Sequence, residues 1–174
     1  AIEQKRIEGL EFALKIHTNI TRDHLDYHKT IEEYIRIKNS FFEDDSKKLI
    51  NKDDKIVKYN SKNGYAYSLD DPSTYKVTAY SFKNGTHVMF SHFGTMHSFS
   101  STMMGIFNVY NLMAAVAAVH ITTNKPLDEI CEALDGFAGV SGRMETISSN
   151  PLVIVDFAHT PDGMKEVLKS FNDR

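Results

Sequence analysis

Tryptophan is absent from the 174 residues, and cysteine occurs once, as Cys131. One thiol excludes a disulfide within the chain. Cys131 sits beside Ile130 and Leu134 on a short helical pattern, where a small core residue is expected rather than a nucleophile. No basic run stands out, and the formal net charge of −3 offers nothing to nucleic acid. No apolar stretch approaches the ~20 residues needed to cross a bilayer, and no signal-peptide pattern is present. Internal repeats and low-complexity tracts are also missing. These absences favour a reducing cytoplasm and argue against a membrane partner. The remaining composition, 41% apolar and 25% charged, is that of a soluble globular protein with room for one domain, or one domain and a piece of another.

Both ends look cut. Residues 1–6 are already polar helical sequence, and residues 171–174 lie inside a helical pattern. Between them, residues 11–20 alternate as a strand does, a helix follows at 30–42, and Lys48-Leu49-Ile50 reads as a short apolar strand. That succession suggests a parallel α/β unit. Residues 75–82, 86–93 and 96–104 are three β-rich runs separated by glycine turns, which suggests antiparallel hairpins. His87, His92 and His97 recur at a spacing that alternates faces on a strand, so they read as surface or rim residues. Residues 109–121 are apolar all round, as a buried helix is, and a second helix starts near Pro126.

Gly139-Val140-Ser141-Gly142 is the best candidate linker. It divides a first unit, 1–141, from a second, 142–174. In the second unit residues 143–147 read as a short strand, and Pro151-Leu152-Val153-Ile154-Val155 reads as a parallel strand buried on both faces. Thr160 and Pro161 then start a helix whose inner stripe is Met164, Val167, Leu168 and Phe171. Polar groups at the carboxyl end of such a strand are where open α/β sheets bind ligands.

Two features carry chemistry. Thr30-Ile31-Glu32-Glu33 is a capping box. At about 100° per residue the apolar face of the helix it opens, Ile31, Tyr34, Ile35, Phe41 and Phe42, has Lys38 at its centre. A desolvated amine is pushed towards its neutral, nucleophilic form, although a lysine that snorkels past the rings is the competing reading. A neutral amine can capture carbon dioxide as a carbamate, an anionic oxygen ligand suited to Mg²⁺. The second feature, Asp23-His24-Leu25-Asp26-Tyr27-His28, packs metal- and proton-competent side chains just past a strand end. Capping aspartates with surface histidines would also explain it.

The stretch 18–28, Thr-Asn-Ile-Thr-Arg-Asp-His-Leu-Asp-Tyr-His, followed by Lys38, resembles the central domain of the Mur ligases, and within them the branch that adds the third peptide residue. Gly105-x-Phe107-Asn108-x-x-Asn111, Gly142-Arg143-Met144-Glu145 and the run from Val155 to Asp162 agree in the family's order. The resemblance implies an α/β fold, a mostly parallel sheet flanked by helices with a small antiparallel hairpin region. It also implies that the first strand-helix unit of a Rossmann-like C-terminal domain begins after residue 141.

The activity implied is ATP-dependent amide formation through an acyl phosphate, with Mg²⁺. The substrates would be a UDP-linked muramoyl dipeptide and free diaminopimelate or lysine, and the protein a monomer. Lys38, carbamylated, and His24 match the magnesium-organising positions. Arg143 matches an arginine facing the ATP phosphates, Asn111 and Asn108 match positions near the adenine, and Asp156 and His159 match contacts to ribose and phosphates. Gln4 and Arg6 match substrate-binding positions.

Each has a bland competitor: a surface charge for Arg6, a helix cap for Asn108, and turn formation for Asp156 and His159. No Gly-x-x-x-x-Gly-Lys-Ser/Thr loop occurs, and most of the family's C-terminal domain would lie beyond Arg174, so this polypeptide is expected to be inactive alone. A metal-dependent hydrolase built on residues 23–28, and a non-catalytic relative, are the rival readings.

Overall fold

The structure, a computed structural model, describes residues 2–20, 30–83, 85–135, 137 and 139–171, with the side chain of Asp162 excepted. Strand β1 (Lys15–His17) is followed by helix α1 (Ile31–Ser40) and strands β2 (Lys48–Asn51), β3 (Gly64–Ser68), β4 (Tyr75–Ser81), β5 (Thr86–His92) and β6 (Thr95–Ser101). These six strands form one sheet in chain order. Pairs β1–β2, β2–β3 and β3–β4 are parallel, whereas β4–β5 and β5–β6 are antiparallel. The expected hairpins are present, and they extend the parallel sheet instead of forming a separate region. Strand β3 had no clear signal: Gly64-Tyr65-Ala66-Tyr67-Ser68 lacks an aliphatic run, and becomes a strand because it completes the ladder beside β2. The β1 strand is shorter than the alternation over 11–20 suggested.

Helix α2 (Ile106–Thr123) crosses the sheet and buries Val109, Leu112, Met113, Val116 and Ala117 against Leu49, Tyr67, Tyr75, Val77 and Phe90. Its 18 residues are apolar and long enough, by length and composition, to cross a membrane, which corrects the sequence reading. Its apolar character is explained by the sheet it covers. Helix α3 (Leu127–Glu132) closes the same side with Leu127, Ile130 and Cys131, the last buried as expected. Pro126 is its N-cap residue.

Helix α1 lies between β1 and β2 in the chain. Thr30 caps it, accepting the Glu33 N–H at 3.2 Å. Its buried residues are Tyr34, Ile37 and Asn39, and Lys38 is exposed. This corrects the inward-facing lysine. The helix ends at Ser40, so Phe41 and Phe42 do not continue its 100° progression, and Ile37 rather than Lys38 lies under the core face.

Past Gly142, strands β7 (Glu145–Ser149) and β8 (Leu152–Val155) make a two-stranded antiparallel ribbon, followed by helix α4 (Pro161–Lys169). Here the expected parallel strand, buried on both faces, is overturned. β8 pairs with its sequence neighbour β7, and Leu152, Val153 and Val155 are exposed. The run of aliphatic residues records apolarity, but no second layer covers it among the described residues. The stripe on α4 is likewise open, with Met164 and Leu168 exposed, although Thr160 and Pro161 start the helix as expected.

Candidate functional site

Strands β1, β2 and β3 end together, and a polar network gathers at their carboxyl ends. Asp54, just after β2, accepts His17 Nε2–H at 2.9 Å, the Ile20 N–H at 2.7 Å and the Ile56 N–H at 3.1 Å. Asp53 accepts the Ser68 hydroxyl at 2.7 Å, the Leu69 N–H at 2.6 Å and the Tyr110 hydroxyl at 3.0 Å. Asn51 donates to the Thr18 carbonyl at 2.8 Å. Burial opposes the Asp53 charge, yet the donors around it hold its carboxyl below the usual range. Burial likewise pushes the His17 imidazole down, beyond what the Asp54 bond and charge restore, so the ring donates as a neutral group. The Lys38 ammonium adds to that lowering, which brings Lys38 into the electrostatic reach of this edge.

Lys38 itself reaches outwards over the Tyr34 ring, its Nζ 5.4 Å from the centroid. The snorkelling geometry is therefore the one observed. His24 lies outside the described residues, as does all of the 23–28 cluster.

A second group forms where β7 begins and β8 ends. Asp156 accepts the Met144 N–H at 2.9 Å and the Ala158 N–H at 2.7 Å. Arg143 stacks its guanidinium on Phe157 at 5.2 Å, and the Phe157 and His159 rings lie 5.5 Å apart. Arg143 is thus brought beside Asp156 and His159, which lie 13 and 16 residues further along the chain. Arg143 is exposed and makes no ion pair among the described residues, leaving its charge available to an anion. Met144 next to it takes a positive φ of 49°, and its amide bond to Asp156 offsets that strain.

At the start of α2, Gly105 is the N-cap residue with φ 96°, and Asn108 is buried inside the first turn. Its amide donates to the Met104 carbonyl at 2.7 Å, and Asn111 donates to Asn108 Oδ1 at 3.3 Å. Asn108 therefore braces the entry to the helix without being its cap, while Asn111 is exposed. Gln4 and Arg6 sit exposed in turns near the chain start. No three His, Cys, Asp or Glu side chains converge on a metal position among the described residues. Asp53 and Asp54 are each held by several donors from the surrounding chain.

The sequence reading missed His17, Asn51, Asp53, Asp54 and Tyr110. The signal for two of them was an Asp-Asp pair immediately after a buried parallel strand. His92 and His97 are also more enclosed than a rim position: His92 stacks on Tyr75 at 4.7 Å, and His97 pairs with Asp128 at 2.6 Å.

An open, mostly parallel α/β sheet with its polar groups gathered at the strand carboxyl ends is the class of domain that these features define. A family model described as the Mur ligase middle domain matches residues 1–119, so the chain belongs to the Mur ligase family. The UDP-N-acetylmuramoyl-L-alanyl-D-glutamate–2,6-diaminopimelate ligase of Wolinella succinogenes is 54% identical over 98% of this chain and 39% of its own length. The ligase of the same name from Helicobacter hepaticus is 49% identical over 98% of the chain and 38% of its own. A solved structure bearing that name superposes with a TM-score of 0.82 at 29% identity, over 99% of this chain and 38% of the other. A pseudomurein peptide ligase type C from Methanothermus fervidus gives 0.78 at 26% identity, over 91% and 41%. The chain thus spans about two-fifths of the curated relatives it matches.

Proposed function

We propose that the protein containing this chain is an ATP-dependent ligase that joins diaminopimelate to a UDP-linked muramoyl-alanyl-glutamate in peptidoglycan precursor synthesis, in the cytoplasm and as a monomer. The observation that carries this reading is the match across 98% of the chain to relatives named for that reaction. It narrows the amino acid from the pair diaminopimelate or lysine to the first. Residues 1–141 then belong to the central domain and 142–174 open the domain that follows.

The chemistry would begin with the substrate carboxylate attacking the ATP γ-phosphate to give an acyl phosphate and ADP. The amine of diaminopimelate attacks that carbonyl, phosphate leaves, and an amide remains. Two anions must approach, so fixed positive charge is the main requirement at the site. In this reading Arg143 supplies it, with its guanidinium plane held on Phe157. Asn108 and Asn111 face the adenine, Asp156 and His159 face the ribose and phosphates, and Gln4 and Arg6 hold the nucleotide-sugar peptide. His24 and a carbamate on Lys38 would be the donors to Mg²⁺, which when bound neutralises phosphate charge. The described residues alone do not form that metal set.

The test is coupled ADP and phosphate release by the full-length protein, given ATP, UDP-N-acetylmuramoyl-L-alanyl-D-glutamate and diaminopimelate. Release should require both acceptor and amine, and the present polypeptide alone should give none. Release of phosphate without either substrate would overturn the reading in favour of hydrolysis.

A further inference from the structure

Asp53 and Asp54 are adjacent in sequence, yet they tie the strand edge to different helices. On one side, Asp54 bonds His17, Ile20 and Ile56. The Ile56 carbonyl in turn accepts the Asn39 amide at 3.4 Å, and Asn39 Oδ1 accepts the Lys58 N–H at 3.0 Å. Asn39 is the buried neighbour of Lys38 on α1. The His17 ring closes the circuit by packing edge-on against Phe42, 5.7 Å away. On the other side, Asp53 receives the Tyr110 hydroxyl from the second turn of α2, the helix whose first turns carry Asn108 and Asn111. It also gathers the turn after β3 through Ser68 and Leu69.

We propose that Asp53 and Asp54 are paired positioning residues: Asp54 sets where α1 presents Lys38, and Asp53 sets where α2 presents Asn108 and Asn111. The assignment rests on the ligase reading above and adds residues it does not use. Charge-assisted bonds from a rigid strand end are stronger and more directional than neutral ones. One strand terminus thereby fixes the separation between the two helices. Misplacing a reacting group by ~1 Å can cost about a hundredfold in rate, so the two carboxylates act on separate steps: Asp54 on chemistry, Asp53 on nucleotide binding.

Two near-isosteric substitutions in the full-length protein separate these roles. Tyr110→Phe removes only the hydroxyl that reaches Asp53. It should raise KM for ATP and the Kd of a non-hydrolysable ATP analogue about tenfold, with kcat within about twofold. Asp54→Asn should do the reverse, lowering kcat about tenfold with analogue binding within about twofold. Asn39→Ser, which severs the same circuit at Ile56 and Lys58, replaces Asp54→Asn if that variant does not fold.

A folded pair of variants with wild-type kinetics, or with kcat and KM moved in the same proportion, would overturn the assignment while leaving the ligase reading intact. Wild-type protein that neither ligates nor binds the analogue would overturn the ligase reading, and the assignment with it.

Discussion

The Lys48 ammonium donates to the Asp44 carbonyl at 2.6 Å from a position with no solvent exposure. A second bond, to the Lys62 carbonyl at 3.1 Å, helps hold the amine at the amino end of β2. Lys48, ten residues beyond the lysine that helical periodicity singled out, is thus buried, as is Lys15 on β1. Lys48→Met keeps the apolar stem and removes the donor from both carbonyls. It should destabilise the fold by about 1–3 kcal/mol, read as a lower urea midpoint. Because the change lies at the end of the sheet away from the strand carboxyl ends, nucleotide binding by the full-length protein should be unchanged.

Three imidazoles make stability depend on pH. Burial lowers His17 most directly; burial and then the neighbouring His120 and His97 lower His92; burial and then His97 lower His120. A group whose folded pKa is depressed stays neutral while its unfolded counterpart takes up a proton. The unfolded chain then binds more protons, so stability is complete above the ordinary value of 6.5 and falls as the pH drops towards the folded value. Urea unfolding at about pH 7.5 and about pH 5.5 should show the loss, and His17→Gln should flatten it. An equal slope in the variant counts against this origin.

Lys38→Ala in the full-length protein should abolish ligation, and bicarbonate or a short carboxylate should partly restore it. Since Lys38 is exposed, the thermal midpoint should hardly move. Wild-type turnover in that variant would remove Lys38 from the site.

Arg143→Ala should weaken binding of a non-hydrolysable ATP analogue by about tenfold, the loss of one charge-assisted contact. The guanidinium contributes only surface stacking on Phe157, so folding should be preserved. Calorimetric titration of the two proteins checks this directly.

Burial pushes the Cys131 thiol up to about 11. It should react slowly with a disulfide reagent at neutral pH, because the thiolate is the reactive form. Labelling should become fast in urea. Rapid labelling of the native protein would contradict the packing of α3 on the sheet.

Where a pattern depended on neighbours along the chain, it could be read. The Thr30 and Thr160 caps, the hairpins around Gly85 and Gly94, the apolar α2 and the small core residue Cys131 were all visible, because caps, turns and burial stripes act over a few residues. The motif residues Arg143, Asp156 and His159 were visible as types, but their proximity was not. It arises from the β7–β8 pairing, which sets Met144 beside Asp156 across the ribbon. β3 escaped notice because its strand character comes from the ladder next to it.

By itself, the order of residues determined where α1, α3 and α4 begin and that this is a Mur-type α/β chain, whereas residues 2–6, read as helical, form turns. The tertiary structure alone decided which lysine is enclosed, which aliphatic strand stays open, and that Asp53 and Asp54 reach different helices. The reason is physical: periodicity specifies a face of an element, but burial depends on whether another element arrives to cover it. For α1 the core meets Ile37 and leaves Lys38 outside, whereas for β2 the loops at its amino end fold over Lys48 and enclose it.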